Sequence, residues 1–142
     1  MNVGEKGLAL IKEFEQCRLA AYPDPGTHGA PWTIGWGRTG GVRDGDICTQ
    51  TQADLWLLED CKDAETCIEQ HVTVPLTQNE FDALVSFVFN VGPGRKATER
   101  DPGRDGFVYL RSGQPSTLLR RLNDSDFDGA ADQFDRWNKA GG

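Results

Sequence analysis

The pattern of apolar and polar residues predicts helices in some segments and strands in others, and the first segment is helical. Near the N-terminus apolar residues recur at helical spacing, at Leu8, Ile11 and Phe14. This spacing predicts an amphipathic helix over residues 3–15. Asn2 and Glu5 resemble a capping pair, so we expect Asn2 to cap this helix.

Two short strands are predicted after this helix. Residues 18–22 and 32–36 have the composition of strands, and residues 23–26 (PDPG) give a turn signal after the first of them. Glycines at positions 35, 37, 40 and 41 would let the backbone pass close to another segment or to a ligand. We therefore expect a small lobe built around a β-hairpin.

Two capping boxes mark the starts of two longer helices. Thr49 with Gln52 begins a helix that runs to about residue 71, and Thr77 with Glu80 begins a strongly apolar helix that runs to about residue 90. On the first of these helices five residues form one stripe: Ala53, Leu57, Cys61, Ala64 and Ile68. We expect the first helix to connect two lobes and the second to be a buried central helix.

The last part of the chain combines a long connection with two more helices. Residues 93–115 are rich in Gly, Pro, Arg and Asp, and such a stretch is longer than the usual connection inside a compact domain. We interpret it as an inserted mobile loop or hairpin. Helices are predicted over residues 116–123 and 126–139, the second with Phe134 and Trp137 at helical spacing.

Length and charge limit the classes of protein to which the chain can belong. Its 142 residues allow one ordinary domain. A formal net charge of -7 disfavours sequence-independent binding to nucleic acid. No apolar run approaches the roughly 20 residues of a membrane-spanning helix, and residues 1–10 lack the pattern of a secretory leader. We expect no membrane-spanning segment, and a protein of this sequence that works outside the cytoplasm would need another route of export.

Four cysteines raise the question of a metal site or a reactive thiol. Four side chains could in principle hold zinc: Cys48, Cys61, Cys67 and His71. Cys61 and Cys67 lie six residues apart on a predicted helix and would point in divergent directions, so we expect no metal and no cofactor. A cysteine hydrolase would need a thiol such as Cys17 near His28 or His71, and neither histidine has a local signature. Structural thiols are therefore favoured.

The strongest candidate for chemistry is a carboxylate at the end of the first helix. Glu15 lies beside the apolar arc of that helix, whereas Glu13 lies roughly 160° away and should be solvated. A partly desolvated carboxyl has a raised pKa and can act as a general acid. The alternative is an ordinary ion pair of Glu15 with Arg18 or Arg38.

A second carboxylate and a hydroxyl follow in the predicted hairpin. Asp24 lies in the turn, and Thr33 lies on the returning strand. Two carboxylates beside one cleft suit hydrolysis of a glycosidic bond, because one protonates the leaving oxygen while the other stabilises positive charge or activates water. These residues therefore favour a glycosidase.

In this context the sequence resembles the phage-type lysozymes, or endolysins, of glycoside hydrolase family 24. Three separated blocks match in order: residues 14–39 with FEQCRL, AYPD and WTIGWGRT, residues 75–92 with PLTQNEFDAL and FVFNVG, and residues 116–122 with STLLRRL. The resemblance covers nearly the whole chain apart from residues 93–115. It implies cleavage of the β-1,4 bond between N-acetylmuramic acid and N-acetylglucosamine in bacterial peptidoglycan.

The resemblance also implies roles for individual residues. Glu15 corresponds to the general acid, Asp24 to the second carboxylate and Thr33 to the hydroxyl that helps to place the attacking water. An inverting reaction is implied, for which the carboxyls stand roughly 6.5–9.5 Å apart. Phe89 and Asn90 match the helix end that lines the saccharide cleft of the family. For Phe89, burial in the core is an equally good interpretation.

The sequence departs from the family pattern in several places. Arg38 stands where many members have histidine, and we expect it to line the site and to pair with Glu15 or Asp24. The connection over residues 25–32 is longer than in the best-known members. Residues 93–115 appear as an insertion, and members usually continue past residues 137–139 into a further C-terminal segment. That segment, or a partner chain, would complete the fold.

Together these observations predict an α+β lysozyme-like fold. A small lobe over about residues 1–48 would be joined by a connecting helix over about 49–71 to a helical lobe over about 72–142. The predicted activity is hydrolysis of peptidoglycan for lysis of the host cell. A catalytically silent peptidoglycan-binding or virion module is the alternative. Because no export signal is visible, we expect synthesis in the host cytoplasm and action in the periplasm after the inner membrane is breached. A holin partner is implied by the family resemblance.

Overall fold

The computed structural model describes residues 1–128 and has an α+β architecture, as predicted. Its elements in chain order are α1 (Glu5–Phe14), β1 (Arg18–Tyr22), β2 (Thr33–Gly35), α2 (Gln50–His71), α3 (Gln78–Val91) and α4 (Thr117–Asn123). The bounds of β1 are those that the sequence predicted, whereas β2 is shorter than the predicted segment 32–36. Within the described residues no helix is both long and apolar enough to cross a membrane.

The two strands form an antiparallel hairpin that a third segment extends. Arg18 lies opposite Gly35 and Tyr22 lies opposite Thr33, with an irregularity between the two pairs. On the other edge of β1, the amide of Cys48 donates to the carbonyl of Leu19 at 2.8 Å. Residues just before α2 therefore pair with β1, and this pairing places the start of α2 beside the hairpin.

The core is formed mainly by α2 and α3. All five residues of the predicted stripe on α2 are buried, which confirms the periodicity. The helix contacts β2 as well as α3, so it reaches both the hairpin and the helical part. The first helix, α1, packs against α3. The predicted central helix is therefore confirmed as the element on which both α1 and α2 pack.

The predicted capping is confirmed in full for α3, in part for α2 and not for α1. Thr77 with Glu80 forms a complete capping box, whereas Thr49 caps α2 through the bond that its side chain accepts from the amide of Gln52. The predicted cap at Asn2 is wrong, because the N-cap of α1 is Gly4 and has no side-chain cap of its own.

A buried carboxylate on α3 supplies the missing cap of α1. The amide of Gly4 donates to Oδ1 of Asp82 at 2.8 Å, and Nε2 of Gln78 donates to the same oxygen at 2.8 Å. Only 3% of Asp82 is exposed. Because a buried carboxylate must be satisfied by donors, Asp82 joins the start of α1 to α3.

We expect Asp82→Ala to lower the free energy of unfolding by about 1–3 kcal/mol, because it leaves a helix-end donor without its acceptor. Asp82→Asn keeps an oxygen for Gly4 and should lose less. Urea unfolding followed by circular dichroism measures both, and Glu13→Ala on the exposed face of α1 is the control. A loss no larger than that of the control would contradict this role.

The segment over residues 93–115 contains two isolated antiparallel bridges, Arg95 with Arg104 and Tyr109 with Pro115. It also contributes to the core: Phe107 is fully buried, and its ring meets Phe87 edge to face. The Ser116 hydroxyl donates to the carbonyl of Phe107 and accepts from the amide of Leu119. The insertion is therefore fastened to α3 and to the start of α4, which the sequence did not predict.

The next predicted helix is confirmed, with its start shifted by one residue and its end as predicted. Ser116 is the N-cap of α4, which then begins at Thr117. The predicted helix over residues 126–139, with Phe134 and Trp137, lies mostly outside the described residues.

Candidate active site

Glu15 is the first residue after α1, where the chain leaves the helix. Its amide still donates to the carbonyl of Ile11 at 3.0 Å, but its backbone is extended, with φ -103° and ψ 137°. The side chain is half-buried. Glu15 is therefore held by the last helical hydrogen bond while its carboxyl projects from the helix end.

The carboxyl of Glu15 lies directly against the backbone of Gly37. A Cβ atom at position 37 would stand 3.0 Å from Oε2 of Glu15, and the φ of Gly37 is +91°. Both observations favour glycine here, because an L side chain would be strained at this φ and would crowd the carboxyl. The glycine in the segment after β2 thus lets backbone and acid approach each other.

A cleft of about 470 Å³ opens in front of this carboxyl. Its lining includes residues 37–40 after β2 and Asp60, Asp63 and Cys67 of α2. The C-terminal end of α3 contributes Phe89 and Asn90. The cleft therefore lies where the hairpin, α2 and α3 meet, and it contains four of the six predicted site residues: Glu15, Arg38, Phe89 and Asn90.

Burial raises the pKa of Glu15 above its ordinary value. Desolvation disfavours the carboxylate, so the acid keeps its proton to a higher pH than an exposed glutamate does. A proton held on a carboxyl that faces a cleft is what a general acid requires.

This shift predicts how pH affects stability. The raised pKa gives the folded protein stability that is fully present below the ordinary pKa near 4.5 and is lost as pH rises through the folded-state pKa. Glu15→Gln removes this dependence. We therefore expect the stability of Glu15→Gln relative to the parent to increase between pH 4 and pH 7, measured by urea unfolding. A difference that does not change with pH would contradict the raised pKa.

The other two predicted catalytic residues lie outside the lining of this cleft. Oδ1 of Asp24 accepts from the amides of Gly26 at 2.7 Å and Thr27 at 3.3 Å, which makes Asp24 the organising residue of its own turn. Thr33 lies on β2 opposite Tyr22. Among residues 1–128 the cleft lining includes Glu15 but neither Asp24 nor Thr33.

Arg38 does not pair as the sequence predicted. Within the described part of the chain its ion pairs are with Glu59 at 3.1 Å and Asp60 at 3.7 Å, and not with Glu15 or Asp24. Its guanidinium also lies 5.1 Å from the ring centroid of Trp56. The expected pairing is wrong because α2 presents two carboxylates and an aromatic face to Arg38. Arg38 is therefore directed to α2, and burial is the cause that raises the pKa of Glu15.

The comparisons with known proteins place this geometry in a family. The family model described as phage lysozyme matches residues 12–142. The chain belongs to the phage lysozyme family. An endolysin of Acyrthosiphon pisum secondary endosymbiont phage 1 is 39% identical over 140 residues, which cover 99% of this chain and 82% of that protein.

Solved structures of phage lysozyme type have the same fold. The muramidase domain of SpmX from Asticaccaulis excentricus matches with a TM-score of 0.75 and 34% identity, covering 96% of this chain and 79% of that one. A P22 lysozyme mutant matches with a TM-score of 0.71 and 33% identity, covering 94% and 82%. As a member of the phage lysozyme family the chain is a peptidoglycan-hydrolysing endolysin. The alternative of a silent binding or virion module is not favoured.

The cleft of this phage lysozyme fold is also lined by side chains that were not predicted as site residues, among them Asp60, Asp63 and Cys67 of α2. These three occur at positions i, i+3 and i+7 of α2, so they share one face of the helix. This spacing is visible in the sequence, but it lies beside the apolar stripe of α2 and does not by itself distinguish a cleft from a solvated helix face. Burial raises the pKa of Asp60, and Arg38 opposes the rise.

The buried thiol of Cys61 fits the structural role that was expected. Burial raises the pKa of Cys61 to about 12, so this thiol is a poor nucleophile near neutral pH. Nδ1 of His71 lies 2.8 Å from the carbonyl of Cys67, which occupies that ring nitrogen with a backbone contact. Among the described residues there is no group of three or more His, Cys, Asp or Glu side chains that could hold a metal ion.

Proposed function

We propose that this endolysin hydrolyses the β-1,4 bond between N-acetylmuramic acid and N-acetylglucosamine with Glu15 as the general acid. The observation that supports this role is the half-buried carboxyl of Glu15, whose pKa is raised and which faces the cleft. The proton on Glu15 would pass to the glycosidic oxygen as the bond to the anomeric carbon breaks.

Asp24 and Thr33 are proposed to act on the opposite face of the sugar. Asp24 would accept a proton from the attacking water, and the Thr33 hydroxyl would help to place that water. Both turn hydrogen bonds of Asp24 go to Oδ1, so Oδ2 is the oxygen proposed to meet the water. This arrangement corresponds to inversion at the anomeric carbon.

Arg38, Phe89 and Asn90 are proposed to contact the saccharide. Phe89 packs against the core and also lines the cleft, so one face of the ring can serve each role. Asn90 is exposed at the end of α3, where its amide could donate to an N-acetyl carbonyl. Arg38 is held by Glu59 and Trp56, which would fix its position beside the sugar at little cost in entropy.

The test is the product formed from purified peptidoglycan. We expect new reducing ends at N-acetylmuramic acid, and we expect the α-anomer to appear first in a proton NMR time course. Initial appearance of the β-anomer would contradict inversion. Saturable binding without new reducing ends would contradict the enzymatic role itself and support the binding module.

We also propose synthesis in the host cytoplasm followed by action in the periplasm, with a holin opening the inner membrane. Expression without a holin should leave cells intact, and addition of an agent that permeabilises the inner membrane should start lysis. Lysis without such an agent would contradict this proposal.

A further inference from the structure

We propose that Asp54 is a positioning residue that fixes the backbone of Gly37 against the carboxyl of Glu15, a role that rests on the proposed function of Glu15 as the acid. Asp54 lies in the first two turns of α2 and is not part of the cleft lining. It therefore acts through other residues, and the contacts that connect it to Glu15 run along two paths.

The first path runs through Trp36. Nε1 of Trp36 donates to Oδ1 of Asp54 at 2.8 Å, and the indole packs against the hydrophobic core. Trp36 is directly followed by Gly37, whose backbone lies against Oε2 of Glu15. A change in the orientation of the indole therefore moves the backbone on which the acid rests.

The second path runs through residues on either side of Glu15. Nζ of Lys12 lies 3.8 Å from Oδ1 of Asp54 and 5.1 Å from the ring centroid of Trp36. Nε2 of Gln50 donates to Oδ1 of Asp54 at 3.1 Å and to Sγ of Cys17 at 3.5 Å. Asp54 is thus connected to the helical turn before Glu15 and to the residue two positions after it.

A single carboxylate oxygen therefore receives contacts from α1, from the segment after β2 and from α2. The hydrogen bonds from Trp36 and Gln50 lower the pKa of Asp54, with Lys12 adding to the effect, so the group is ionised when the enzyme works. Its side chain is 44% exposed, and such exposed ion pairs contribute little to stability. We expect its loss to affect geometry at Glu15 more than the free energy of unfolding.

The kinetic test compares Asp54→Ala, Asp54→Asn and Trp36→Phe with the parent. Asp54→Ala should lower kcat about 10-fold with KM nearly unchanged, because a small misplacement of a catalytic group slows the reaction without weakening binding. Asp54→Asn keeps an acceptor for Trp36 and should retain most of kcat. The double variant with Trp36→Phe should be no slower than Asp54→Ala alone. An unchanged kcat in Asp54→Ala, or additive losses, would overturn the proposal.

A second measurement does not depend on activity. Carbon-13 NMR of the Glu15 carboxyl should show its raised pKa returning toward the ordinary value in Asp54→Ala, because water reaches the displaced group. Asp54→Asn removes the same charge. An equal change in the pKa of Glu15 in both variants would therefore be an effect of charge alone and would overturn the proposal. Arg38, Asp60 and Asp63 share the cleft with Glu15 and remain in every variant.

Comparison of Asp54→Ala with Glu15→Gln separates failure of this proposal from failure of the assignment of Glu15 as the acid. If Glu15→Gln is as active as the parent, the proposed function fails whatever Asp54 does. If Glu15→Gln is inactive while Asp54→Ala keeps the kcat and the Glu15 pKa of the parent, only the positioning role fails. Asp44→Ala, an exposed carboxylate of the hairpin lobe, is the control and should match the parent.

Discussion

Replacement of Glu15 by Gln is expected to lower the rate of release of reducing ends from peptidoglycan by about 10²–10⁴-fold, the usual contribution of a positioned general acid. Glutamine has nearly the same size and can still accept a hydrogen bond, but it cannot give a proton to the leaving oxygen. Binding of peptidoglycan should persist, because the other side chains of the cleft are unchanged.

Glu13→Gln is the matched control for this experiment. Glu13 lies on the exposed side of the same helix, two residues from the acid, and its replacement should leave the rate within about twofold of the parent. Parental activity in Glu15→Gln, or equal losses in the two variants, would refute the assignment of the acid to Glu15.

Replacement of Gly94 by Ala is expected to lower the free energy of unfolding by at least about 2 kcal/mol, the combined effect of backbone strain and overpacking. Gly94 has a φ of +85°, and a Cβ at this position would stand 2.7 Å from the amide nitrogen of Gly106 and would also strike the carbonyl oxygen of Tyr109. All of these neighbours are backbone atoms, so no side-chain rotation relieves the clash. Urea unfolding measures the loss.

Gly41→Ala separates the two contributions. Gly41 also has a positive φ, of +72°, but no atom lies within 4 Å of a Cβ built there. Its replacement should cost only the backbone strain, about 1–2 kcal/mol. Equal losses in Gly94→Ala and Gly41→Ala would show that the backbone of the insertion is not tightly packed around Gly94.

The elements that were predicted well depend on local signals. The capping box of Thr77 and Glu80 lies within four residues, and the buried stripe of α2 follows from helical periodicity alone. The cap of α1 was missed because Asp82 is 78 residues from Gly4. Burial of Phe107 was missed for the same reason, since its partner Phe87 lies on another element. No local pattern records contacts of this range.

In the candidate site, too, the features that depend on local sequence could be predicted and those that depend on packing between elements could not. Glu15 could be chosen over Glu13 because the apolar arc of α1 is visible in the sequence. The partners of Arg38 could not be chosen, because several carboxylates lay at plausible distances along the chain and only the packing of the hairpin on α2 selects Glu59 and Asp60. The role of Asp54 is likewise visible only where three elements meet.

The two carboxyls of the proposed reaction differ in how they are supported. Glu15 is anchored to a helix that is itself fastened to α3 through Asp82, whereas Asp24 belongs to an exposed turn stabilised by its own hydrogen bonds and by Thr27 with Ala30. Changes in the length of this turn can therefore alter the distance between the carboxyls of Glu15 and Asp24 without disturbing the helices. Insertions or deletions in residues 25–32 would tune the room for a water molecule while the proton donor stays where the helices hold it.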